Sequence, residues 1–141
     1  MRFWDASAVV PLILDQPLTA AAHSLLADDP DVVMWWGTPV ECASAVARSR
    51  REGILAASDE ATALRALDAL RTSWYEVLPG ESVRAQAMRV LRMHQLRSAD
   101  ALQLSAALEW SGIPVSATFV TFDRRLAVSA ELEGFRILGT V

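Results

Sequence analysis

Apolar residues along the chain follow two spacings. Short runs rich in β-branched and aromatic residues, "RFWD", "DVVMWW", "YEVLP", "ATFVTF" and "FRIL", predict strands. Between them, apolar positions recur every three to four residues, which predicts helices. The first two are expected over residues 7–15 and 19–28. A third covers "TPVECASAVARSRREG", with Thr38 placed to cap it, Pro39 suited to its first turn and Gly53 able to end it. A helix over residues 58–71 carries Ala63, Leu67, Leu70 and Trp74 at helical spacing. Another over 81–95 sets Val83, Ala87, Val90 and Leu91 on one face. Ser98 is expected to cap the apolar helix of "RSADALQLSAAL", and "RRLAVSAEL" gives a last short helix. Strands that alternate with helices predict the α/β class: three layers, α/β/α, around a parallel sheet of four to five strands. No repeat or long linker divides the chain, so residues 1–141 read as one domain.

Composition narrows the function classes. The 141 residues are 52% hydrophobic and 21% charged, which suits a folded core rather than a disordered chain. The net charge is −4, which argues against a general polyanion binder but leaves room for a local basic patch. All 13 basic residues are arginine, a good phosphate partner, yet Ala- and Arg-rich usage also follows from a GC-rich coding sequence. The early apolar run at 8–14 contains Pro11 and is too short to span a bilayer. With no legible signal peptide, the expectation is a soluble, cytoplasmic protein without a membrane partner. Cys42 is the lone cysteine, so no intrachain disulfide can form, and it reads as a small core residue. Neither His23 nor His94 has a nucleophile or zinc cluster near it in sequence.

The acids are more informative. Ligands of open parallel sheets bind outside the carboxyl ends of the strands. Asp5 closes the first strand, Asp123 closes "ATFVTF", and Glu41 lies in the first turn of the helix after "DVVMWW". Asp100 opens a helix that follows another helix with no strand between. That antiparallel pair returns the chain to the carboxyl edge, so all four carboxylates are predicted to converge. Crowded carboxylates repel, and some would protonate unless a divalent cation offsets the charge. All-oxygen donors suit Mg²⁺ or Mn²⁺. Such an ion polarises phosphoryl oxygens and acidifies water, the equipment for cutting a phosphodiester. Each acid also has a local use. Glu41 completes a Thr-x-x-Glu capping box, Asp100 suits a helix N-terminus, and Asp5 and Asp123 can each cap the helix that follows.

Four segments then carry a family resemblance. "WDASAVVPLIL", "TPVECASAVARSRREG", "LRSADALQLSAAL" and "FVTFDRRLAVSAELEGFRIL" resemble, in order, the motif blocks of the PIN-domain ribonucleases. They are most similar to the VapC toxins of bacterial toxin–antitoxin pairs. The resemblance implies a Mg²⁺- or Mn²⁺-dependent endoribonuclease with its acidic tetrad at Asp5, Glu41, Asp100 and Asp123. It implies supporting hydroxyls at Ser7 and Thr121, homodimerisation, and inhibition by a VapB-type antitoxin. On this reading Asp5, Asp100 and Asp123 hold the metal, and Glu41 holds or activates the attacking water.

Arg97, Arg124 and Arg125 lie nearest the acids in sequence, and Arg48 lies two turns beyond Glu41. These four are the arginines that can grip RNA phosphates, though surface arginines commonly serve solubility. Trp35 and Trp36 can stack on bases. Core packing is the stronger expectation for them, since alternate strand residues face opposite layers. The helix face of Leu64, Leu67 and Leu70 packs either on a second subunit or on its own sheet. Two rival functions stand beside the toxin: a PIN nuclease that processes RNA or DNA, and a noncatalytic α/β binding module such as a receiver-like regulator. The latter would need a lysine near the last strands, and the chain has none.

Overall fold

A computed structural model describes residues 1–140. Five short strands form one sheet: β1 (Arg2–Trp4), β2 (Val32–Trp35), β3 (Tyr75–Val77), β4 (Thr118–Val120) and β5 (Arg136–Leu138). All pairings are parallel, in the order β3-β2-β1-β4-β5. Seven helices join them: α1 (Ala6–Ile13), α2 (Thr19–Asp28), α3 (Thr38–Arg51), α4 (Ala57–Arg71), α5 (Glu81–Met93), α6 (Ser98–Ser111) and α7 (Arg124–Leu132). The expected three-layer α/β/α arrangement is therefore present. Element ends differ from the sequence expectation by a residue or two, as where α5 stops at Met93. Among the described residues, no helix is long and apolar enough to cross a membrane.

The central strands have no polar face because both faces are covered. Phe3, Val33, Trp35 and Phe119 point into a core closed by α5, α6 and α7. Trp4, Val32, Met34 and Val120 point the other way, into a core closed by α1, α3 and α4, where Cys42 is also buried. Helix α6 is buried nearly all round, from Ala101 and Gln103 through Leu108. That explains why its apolar residues form no single stripe.

Three local expectations are corrected. The N-cap of α3 is Gly37, with no side-chain cap, and Thr38 is instead fully buried inside the fold. The N-cap of α6 is Arg97 rather than Ser98, again without a side-chain cap. On α4, Leu67 and Leu70 pack into the chain's own core beside Trp74, which leaves only Leu64 of that face exposed.

The sheet order creates the site. The chain steps outward from β1 to β2 and β3, then crosses back to β4 on the other side of β1. Connections after β1 and β4 therefore diverge, and a crevice opens at that switch point. The edge strand β5 supports the turn after β4: the Thr121 backbone N–H donates to the Leu138 carbonyl at 3.0 Å. Gly139 follows with φ +102, and a Cβ there would lie 2.7 Å from the Thr121 carbonyl oxygen. We expect Gly139→Ala to destabilise the fold by at least about 1 kcal/mol, since it combines a left-handed backbone with a steric clash. Chemical denaturation reads this. An unchanged midpoint would mean that the β5 end does not press on the crevice.

Candidate active site

Asp5 leaves the end of β1 and serves as the N-cap of α1. Its carboxylate accepts from the Ser7 backbone N–H at 3.2 Å and from Ser7 Oγ at 2.8 Å. Ser7 Oγ also lies 3.1 Å from Thr121 Oγ1 and accepts from the Phe122 backbone N–H at 2.9 Å. Thr121 Oγ1 accepts in turn from the Asp123 backbone N–H at 3.0 Å. The two hydroxyls thus tie the turn after β1 to the turn after β4. Asp123 caps α7, accepting from the Leu126 backbone N–H at 2.9 Å. The capping roles read from sequence for Asp5 and Asp123 are both realised, and they coexist with placement at the crevice.

Glu41 is held differently, and its capping box does not form. Gln103, buried on α6 one turn after Asp100, donates from Nε2 to Glu41 Oε1 at 2.9 Å and to Thr38 Oγ1 at 3.0 Å. The Thr38 hydroxyl donates back to Gln103 Oε1 at 3.3 Å. Gln103 is a site residue that sequence reasoning passed over. Its signal was present: a lone amide among apolar residues, just beyond the acid that opens the helix.

Burial and neighbouring charge raise the proton affinity of three of the four acids. Burial pushes the Asp5 carboxyl up to about 7, against the pull of its Ser7 and Thr121 hydrogen bonds, and Glu41 adds repulsion. Burial also raises Glu41, with Asp100 adding repulsion and the Gln103 amide opposing. Burial raises Asp100 too, and Asp123 repels it, while the Arg97 and Arg125 guanidiniums pull the other way. Neighbouring acids therefore feel one another in the order Asp5, Glu41, Asp100, Asp123. Beside the last two lies an open cleft of about 570 Å³ lined by Arg97, Ala99, Asp100, Phe122, Asp123, Arg124 and Arg125. Three of the four arginines singled out from sequence thus rim the acids. Arg48 is exposed near the far end of α3 and does not line the cleft. Trp35 is buried, whereas Trp36, just past the end of β2, is 51% exposed. His94 Nε2 donates to the Glu133 carboxylate at 2.7 Å, outside the acid-lined cleft, and His23 is exposed on α2.

The donor set fits a hard divalent cation. All candidates are carboxylate oxygens, and among the described residues no ion pair with a basic group offsets the buried Asp5 charge. Among the described residues, no three of these groups are drawn together into a ready-made metal cluster. Mg²⁺ does not require one, because it keeps several waters and is commonly held by one or two carboxylates.

Residues 2–132 match the PIN domain family, and the chain belongs to that family, whose members are generally nucleases. No curated protein matches the sequence. Among solved structures the fold is similar to PAE2754 from Pyrobaculum aerophilum. That match has TM-score 0.69 and 23% identity, and covers 96% of this chain and 81% of that one. It is also similar to FitAcB from Neisseria gonorrhoeae, with TM-score 0.69, 17% identity and coverage of 98% and 96%. A third similar structure is FitAB bound to the IR36 DNA fragment, with TM-score 0.69, 16% identity and coverage of 99% and 94%. At these identities the likeness speaks for the fold.

A carboxyl group raised in the folded state favours folding at low pH. The Asp5 contribution is fully present below the ordinary aspartate value of 3.8 and is lost as pH rises through about 7. Chelator-treated protein is therefore expected to melt lower at pH 8 than at pH 5, and Asp5→Asn should flatten that difference. Thermal melts at both pH values check it. An equal drop in the variant would show that Asp5 is not the strained charge.

Proposed function

We propose that this protein is a metal-dependent endoribonuclease acting as the toxin of a toxin–antitoxin pair. One observation carries the nuclease reading: a row of mutually repelling carboxylates at the switch point of the sheet, rimmed by Arg97, Arg124 and Arg125. Acids alone would repel RNA, and arginines alone would only bind it. Together they can hold a phosphodiester beside a hydrolytic centre. The toxin role rests on the resemblance of the four sequence motifs to VapC proteins.

Asp5, Asp100 and Asp123 would hold Mg²⁺ or Mn²⁺. When bound, the cation would polarise a phosphoryl oxygen and neutralise charge that develops there. The protein's own groups do the rest. Glu41, aimed by Gln103, accepts a proton from the attacking water. As the water oxygen bonds to phosphorus, the P–O bond to the leaving ribose oxygen breaks, and that oxygen takes up a proton. Ser7 and Thr121 keep Asp5 oriented, and Arg97 and Arg125 orient the phosphates. A VapB-type antitoxin would silence the site by placing a basic side chain among the carboxylates, and the toxin itself would act as a homodimer. Sedimentation showing only monomer at micromolar concentration would remove the dimer.

Purified protein should cut a labelled RNA pool when Mg²⁺ or Mn²⁺ is supplied. Asp100→Asn, which keeps shape but removes charge, should lower the rate by about 100-fold or more, the size of effect typical for losing one electrostatic group of a hydrolytic site. Full cleavage and unchanged metal affinity in that variant would sink the assignment. A DNA pool belongs beside the RNA pool, because FitAB was solved on a DNA fragment. DNA cutting without RNA cutting would favour the DNA-processing alternative. Arg97→Ala and Arg125→Ala should each weaken strand binding and reduce its salt slope by about 0.7, the value for one single-strand phosphate contact. Measured slopes equal to wild type would relegate these arginines to solubility.

A further inference from the structure

Helix α6 has a second working side. Asp100 lines the arginine-rimmed cleft, and Leu102, two residues on, lines a separate recess. Two residues along a helix correspond to about 200° of rotation, so these openings flank the first turns of α6 on opposite sides. The recess holds about 280 Å³ and is lined by Trp35, Pro79, Gly80, Val83, Arg84 and Leu102, together with Glu81, which pairs with Arg84 at 3.0 Å. Its walls are mostly apolar, and its acid and its cation already offset each other. A phosphate gains little there, whereas a flat aromatic group gains a stacking surface.

Trp36 does not line the recess itself but adjoins Trp35, which does. Its ring meets that of Trp35 edge-on at 6.5 Å between centroids. It is the most exposed tryptophan among the described residues, at 51%. The backbone that carries it is fixed, since the Trp36 N–H donates to the Val77 carbonyl at 3.0 Å. Gly37 then passes so close that a Cβ would lie 2.5 Å from Trp35 Nε1. A half-exposed indole on a fixed backbone thus projects at the carboxyl edge of β2, the strand beside β1, five residues before Glu41. An aromatic ring in that position offers stacking energy to any base.

We propose that Trp36 and the recess beside it form a base-stacking subsite that holds a nucleobase of a single-stranded RNA whose backbone lies at the acidic cleft. The proposal rests on the nuclease reading. It gives the chain two grips of different chemistry: arginines on the phosphates on one side of α6, and an indole on a base on the other.

The test measures binding of a short random-sequence RNA strand in the presence of EDTA, so that nothing is cut. Wild type, Trp36→Ala and Trp36→Phe are each compared on the RNA and on an abasic ribose-phosphate strand of equal length. Trp36→Ala should weaken RNA binding by roughly five- to a hundredfold, as loss of one base stack does, and Trp36→Phe should recover most of it. The salt slope should stay at the wild-type value, because no phosphate contact is removed. On the abasic strand the three proteins should bind alike. Equal RNA binding by wild type and Trp36→Ala would overturn the subsite and leave the nuclease standing. So would an equal loss on both strands, or a failure of Trp36→Phe to recover binding. No binding of either strand by wild type would overturn the subsite, and the nuclease reading would stand or fall on the separate cleavage assay with Mg²⁺ or Mn²⁺.

Discussion

A carboxylate that water barely reaches sits at the carboxyl end of the middle strand, and the rest of the molecule is arranged around it. Asp5 is 4% exposed, yet among the described residues no ion pair with a basic group is found for it. Ion burial of this kind is sustained only by hydrogen bonds to the charged form, by a proton, or by a cation. The fold supplies the first through Ser7 and Thr121. The raised proton affinity shows that these bonds fall short of full compensation. The fold thus holds an unfavourable charge in place for the sake of the site, at some expense of stability. The same side chain caps α1, so it cannot move away without loosening the helix.

Placement of Asp100 depends on the α5–α6 hairpin. This unit has to bring Asp100 back to the edge that β1 and β4 define. A clamp helps to hold it: Glu133, at the end of α7, accepts from Arg89 at 2.7 and 3.1 Å and lies 2.7 Å from His94 Nε2. Arg89 belongs to α5 and His94 to the turn before α6, so one carboxylate joins three elements. Asp123 heads α7, which this clamp ties to α5, and Asp100 heads α6, the helix that packs on α5.

Much of this was legible in the sequence, for identifiable reasons. Strands buried on both faces read as unbroken apolar runs, so "DVVMWW" and "ATFVTF" announced themselves. Asp5 and Asp123 were legible as helix caps because each stands between the end of a strand and the start of a helix. Thr38 and Glu41 were misread in detail, because a capping box and a buried hydrogen-bond relay share the same Thr-x-x-Glu spacing. Only the third partner, Gln103, separates the two, and it lies 62 residues from Glu41 in sequence. Ser98 was misplaced by one position for the ordinary reason that helix ends are set by local backbone competition. The split between Trp35 and Trp36 follows strand alternation, but which of them emerges depends on where β2 stops.

The bond between Ser7 Oγ and the Phe122 backbone joins residues 115 apart in sequence. At ordinary rates of protein synthesis, the ribosome needs on the order of ten seconds to travel that distance. Throughout that interval β1 lacks its β4 neighbour, Asp5 lacks the Thr121 hydroxyl, and Asp123 does not yet exist. A nascent or truncated chain therefore carries half a site. The topology thus defers closure of this crevice until residue 122 has been made, and until then Asp5 stands without the turn that completes its surroundings.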